Sequence, residues 1–175
     1  KGISTALVPG DIGANSFNTF IYDGTNFVLQ NPTTTSVVGG NTSQNSGGLS
    51  FSTSQTSAKM SGFAQSITTV KSGKIFIIAS GNISQDTASD GASARIMYGT
   101  GSAPASGDAE TGTQISSVYT NFTPKSVNGG TTPITLSGLV TGLAIGTTYW
   151  VDVSLKAVTG GTASLANMSV TIIEL

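Results

Sequence analysis

The feature that most restricts how this chain can fold is a train of short runs alternating apolar and polar residues, broken by clusters of Gly, Asn, Asp, Pro and Ser. Such runs fall at 51–57, 65–71, 74–83, 92–98, 113–121, 133–140, 147–158 and 163–175. Successive side chains on a strand point to opposite faces, so each run offers one face to a core and the other to solvent or a partner. No stretch of ten or more residues carries a 3.6-residue apolar period, and helix is expected to be minor. Eight runs at this spacing predict an all-β fold, an antiparallel jelly-roll sandwich over 51–175.

The alternation also assigns faces. In the run ending at Lys156, Tyr149, Val151, Val153 and Leu155 share one face, which reads as core, and Trp150, Asp152, Ser154 and Lys156 share the other. In the last run Met168, Val170 and Ile172 fall together, while Ile173 and Leu175 fall opposite. One sandwich has one interior, so apolar residues on both faces of the final strand predict a partner chain over the outer one. Trp150, Ile173 and Leu175 are therefore candidate residues of a trimer interface. A solvent-facing Trp150 could also stack on a sugar ring, and the end of the last strand could instead tuck under a loop.

Ahead of the sandwich, Asp23-Gly24 lies between two alternating segments and reads as a two-residue hairpin turn, because Gly and Asp tolerate positive φ. One hairpin is at best marginally stable alone, so 1–32 is expected to be the end of a shaft or upstream β module. Residues 33–50, rich in Ser, Thr and Gly, have a linker composition; the alternative is an extended segment packed along sister chains.

Composition narrows the chemistry. Charged residues are 9% of the chain, against about 25% in an ordinary soluble domain, and roughly 50 Ser and Thr residues must solvate the surface instead. There is no Cys and no His, which removes disulfides, thiolate and imidazole ligands and the usual general base. Lys1, Lys59, Lys71, Lys74, Arg95, Lys125 and Lys156 are scattered, so nucleic acid is not an expected partner. No apolar span approaches the ~20 residues of a membrane helix and no secretory signal is evident, so a soluble protein without membrane insertion is expected. Asp86, Asp90, Asp108 and Glu110 fall in Gly- and Ser-rich loops, where acids serve turns, and no pair resembles the opposed carboxylates of a glycosidase. The loop 85–91 offers oxygen ligands but lacks the spaced acids of a calcium loop. No catalytic residue, metal or cofactor is expected, and the chain reads as a non-enzyme. Tyr119, Asn121 and Phe122, where a strand leaves for the loop 123–130, are candidate receptor contacts, a buried turn being the plainer alternative.

Three segments resemble fibre and tail proteins of tailed bacteriophages. Gly10-Asp11-Ile12 with Tyr22 through Pro32 is similar to a "GDI … YDGTxFxLxNP" ending; Tyr98 through Thr113 resembles "YGTGxAPxxGDAxxGT"; Gly142 through Asp152 resembles the approach to a penultimate strand. The resemblance implies a tail or head fibre, a homotrimer whose C-terminal head is a jelly roll like the tumour-necrosis-factor and complement globular domains. It implies location on the virion surface after synthesis in the host cytoplasm, with other virion proteins and a bacterial surface glycan or protein receptor as partners. The expected function is host adhesion through loops of the head; the alternatives are a capsid head fibre or decoration protein and a fragment of a polysaccharide depolymerase.

Overall fold

The computed structural model describes residues 20–22, 25, 27–29, 41–87, 90–115, 120–122 and 131–175. The chain divides into two units, Lys1–Val38 and Gly39–Leu175. In the first, β1 (Phe20–Tyr22) and β2 (Phe27–Leu29) form an antiparallel hairpin. The register runs from Phe20↔Leu29 to Tyr22↔Phe27, and the turn expected at Asp23-Gly24 lies outside the described residues.

The second unit is built from β3 (Thr42–Thr53), β4 (Lys59–Met60), β5 (Gln65–Thr68), β6 (Ile75–Gln85), β7 (Ala92–Thr100), β8 (Thr113–Gln114), β9 (Thr120–Phe122), β10 (Thr131–Val140), β11 (Thr148–Ala157) and β12 (Ala163–Glu174). One sheet has the order β10-β6-β12-β3. The other places β11 beside β7, with β4 and β5 on the free side of β11 and β8 and β9 on the free side of β7. All pairs are antiparallel. Counting β4/β5 and β8/β9 as two interrupted strands, successive strands alternate between the sheets except at β7 and β8/β9, which are neighbours in one sheet, as in the double Greek key of a jelly roll. No helix occurs among the described residues.

The core forms where the inner faces meet. Ile75, Ile77, Ile83, Val170 and Ile172 of one sheet pack with Ile96, Val151, Val153 and Leu155 of the other. The period-two assignments for β11 and β12 hold at Val151, Val153, Leu155, Met168, Val170 and Ile172.

Several boundaries differ from the sequence reading, three of them with a clear physical reason or consequence. Residues 42–50, expected within a linker, belong to β3, which pairs with β12 from Thr42↔Ile173 to Thr53↔Ala163. Backbone hydrogen bonds to β12, and only a few apolar side chains such as Leu49 and Phe51, hold this edge strand, so its composition resembles a tether. The run at 65–71 stops at Thr68, because Val70–Gly73 turn their N–H groups onto a carboxylate. The run at 113–121 is two short strands, β8 and β9.

Candidate functional site

The two outward sheet faces have different fates. Residues 101–112 leave β7, cross the outer face of its sheet and pair with β4 at the far edge, through Gly107 N–H to Met60 O, Met60 N–H to Asp108 O and Glu110 N–H to Ala58 O. This strap roofs a satellite core of Met60, Met97 and Trp150. Trp150 is only 4% exposed, its Nε1–H donates to Thr100 O (3.2 Å), and a Cβ at Gly99 or Gly112 would come within 2.5 Å of the indole. Trp150 is thus buried by its own chain, which corrects the expectation of a subunit contact or sugar platform. Beside it the Arg95 guanidinium forms an ion pair with Glu110, whose Oε2 also accepts from Ser154 Oγ (2.6 Å), and Arg95 reaches Gln114.

Asp152 lies under the same roof and is fully buried. Its carboxylate accepts from Ser61 Oγ (2.6 Å), Phe63 N–H (2.9 Å) and Gly62 N–H (3.0 Å), fixing the turn after β4. Burial pushes its carboxyl above the usual range despite those donors. A raised folded value means that ionisation opposes folding, so Asp152 favours the fold most below its unfolded value and less as pH rises. Asp152→Asn lacks this proton uptake, and its destabilisation should be larger at pH 3 than at pH 7 in paired urea titrations. An equal difference would show the carboxylate to be solvated, and a reversed one that its donors outweigh burial.

The outer face of the other sheet has no roof among the described residues. Alternation places there Leu139 and Ser137 of β10, Phe76, Ile78, Ser80 and Asn82 of β6, Ser169, Thr171 and Ile173 of β12, and Thr42 and Gln44 of β3. None is charged. Leu139, Phe76 and Ile173 stand in one cross-strand row, Leu139↔Phe76 and Phe76↔Ile173, with Ile78 one step along. Leu139 is 53% exposed and Ile173 half-buried. Further along, hydroxyls pair across strands, Ser80 with Ser169 (3.1 Å) and Ser52 with Ser164 (2.8 Å). Leu175, 56% exposed, donates its N–H to Lys74 O at the apolar end of this face.

The two ends of the sandwich also differ. At the end where the chain enters the unit, Glu174 accepts from the N–H groups of Val70, Lys71, Ser72, Gly73 and Asn41. Burial alone would raise its carboxyl, but the backbone donors of 70–73 outweigh it and hold it at about 2. At the opposite end, loop 86–91 is tied to loop 158–162. Asp86 Oδ1 accepts from Thr162 N–H (2.6 Å) and Thr87 Oγ (3.0 Å), and Asp90 Oδ1 accepts from Thr159 N–H (2.9 Å) and Oγ (2.6 Å). Gln85 Nε2 donates to Gly91 O and Gly160 O. The Thr162 backbone N–H holds Asp86, and the Thr159 hydroxyl Asp90, below the usual carboxylate range.

Of the expected receptor contacts, Tyr119 lies outside the described residues, whereas Asn121 and Phe122 are in β9, paired with Ser93 and Ala92 at the end bearing loop 86–91. Asp86 and Asp90 tie segments far apart in sequence, which residue type alone does not reveal, while Asp108 accepts locally from Ala105 N–H as a turn acid and Glu110 pairs with Arg95. Among the described residues no group of three potential metal ligands occurs.

No protein-family model matches the chain, and no curated protein matches it in sequence. Solved structures similar to it include the following two. One is the CBM22-1 xylan-binding domain from Paenibacillus barcinonensis Xyn10C, at 13% identity and TM-score 0.36, covering 63% of this chain and 65% of that one. The other is a structure of infectious bursal disease virus, Gt strain, at 10% identity and TM-score 0.48, covering 97% of this chain and 41% of that one. The chain thus spans less than two thirds of either.

Proposed function

We propose that this chain is part of a bacteriophage virion fibre, a homotrimer whose jelly-roll head adheres to the bacterial surface without turning over what it binds. The observation that carries the reading is the contrast between the two sheet faces. One is sealed by the strap, while the other presents an uncharged surface with the row Leu139, Phe76 and Ile173. A charge-free sheet face with an apolar row across one end is costly to leave in water and suits burial against identical copies. Three copies joined in this way would carry three identical sets of loops, and linkage raises effective concentration after the first contact. Recognition in place of catalysis is supported by the engagement of the acids, since Asp86, Asp90, Glu110, Asp152 and Glu174 all accept hydrogen bonds within the fold.

Light scattering coupled to gel filtration tests the assembly. The protein should run as a trimer at micromolar concentration, and Ile173→Asp should weaken association at least about tenfold, or about 1.4 kcal/mol, by placing a carboxylate in the apolar row. A folded wild-type monomer would sink the trimer. A trimer that binds no host surface would move the reading to capsid attachment. Reducing sugar released from host polysaccharide would move it to a depolymerase.

A further inference from the structure

The head is polar from end to end. The chain enters the unit beside Asn41, whose N–H reaches Glu174 and whose side chain donates to Thr68 O. That end also carries Val70, Ile145, Leu139 and Leu175, each more than half exposed, and the exposed Lys71 and Lys74. The opposite end carries loops 86–91 and 158–162. Their described residues include no lysine or arginine, and neighbouring Lys156 lies on the outer face of the strapped sheet.

We propose that these two loops form a contact surface for an uncharged polyhydroxylated saccharide, with Thr87, Val158, Thr159 and the Asp86 carboxylate as its principal groups. The inference rests on the adhesin reading and gives it a location and a ligand class.

The chemistry follows from where the protons already point. The hydroxyl protons of Thr87 and Thr159 are committed to Asp86 and Asp90, so both hydroxyl oxygens are left as acceptors beside an ionised carboxylate. A surface rich in acceptors matches the hydroxyl donors of a sugar. It repels phosphate, sulfate or uronate groups, which require donors and positive charge. Val158, 43% exposed, is a large apolar residue of this end and suits the C–H face of a sugar ring. The cross-ties between the loops reduce the ordering cost of binding. β9 reaches the same end through Phe122↔Ala92, so part of the segment singled out from sequence converges there.

The test compares the full-length protein with three variants carrying the same added charge, Val158→Arg, Thr87→Arg and Ser102→Arg, on an array of neutral and anionic bacterial glycans. Ser102 is exposed on the strap, away from both loops. Wild type and Ser102→Arg should give equal signals on neutral glycans, unaffected by excess dextran sulfate, and the other two variants signals at least tenfold lower with unchanged melting temperatures. Equal binding by all three variants, a fall in melting temperature accompanying the loss, or wild-type binding confined to anionic glycans would overturn the site or its ligand class. Absence of wild-type binding to any glycan would instead remove the saccharide-adhesin reading on which the inference rests.

Discussion

Replacing Glu174 by Ala should destabilise the jelly-roll unit by about 3 kcal/mol at pH 7, the scale of deleting the charged partner of buried donors. The melting temperature should fall by about 10 °C. The carboxylate is fully buried and collects N–H groups from loop 70–73 and from Asn41, so its loss strips partners from the corner where β3 begins and β12 ends. Its carboxyl lies at about 2 in the fold, against an ordinary 4.5. A depressed folded value means that the contribution is complete above the unfolded value and is lost as pH falls from 4.5 towards 2. Glu174→Gln should therefore differ most from wild type at neutral pH and progressively less in acid, opposite in sign to Asp152→Asn. Thermal melts at several pH values check both claims. An Ala variant melting with wild type would mean that water replaces the carboxylate at no cost.

Replacing Trp150 by Ala should cost about 3–5 kcal/mol, the range for emptying a buried aromatic site. The indole fills the space between the outer sheet face and the strap, against Met60 and Met97, with Gly99 and Gly112 leaving room for it. Without it the strap would rest on a cavity, held by the Arg95–Glu110 pair and its backbone hydrogen bonds to Ala58 and Met60. Urea unfolding followed by circular dichroism measures the loss. Amide exchange at Gly107 and Glu110, whose N–H groups bond to Met60 O and Ala58 O, should accelerate in the variant. A change below 1 kcal/mol would return Trp150 to the role its strand position suggests, an anchor for another molecule. Trp150→Phe should fall between, retaining most of the packing but leaving Thr100 O without its donor.

The Trp150 result shows where local pattern stops being informative. Period-two alternation correctly places the indole opposite the core face of β11, because strand geometry is set by adjacent residues alone. What lies over that face depends on residues 101–112, whose Gly, Ser, Ala and Pro content reads as an ordinary exposed loop. β3 fails for a related reason. Its polar residues carry almost no amphipathic signal, and its place at the sheet edge comes from the backbone ladder to β12.

The candidate site follows the same division. Asp86 and Asp90 are recognisable as turn acids from their Gly- and Ser-rich surroundings, but their partners Thr162 and Thr159 lie about 70 residues away, across the long-range closure of two loops. By itself the sequence determined the all-β class, most strand positions and the buried faces of β11 and β12, because alternation and turn residues act within a few positions. Only the tertiary structure decided that Trp150 is roofed, that Glu174 is gripped by loop 70–73, that 42–50 is strand, and that one sheet face stays uncovered among the described residues. Each of these depends on which distant segment arrives to cover or bond a group, and nothing in the local spacing of residues specifies that.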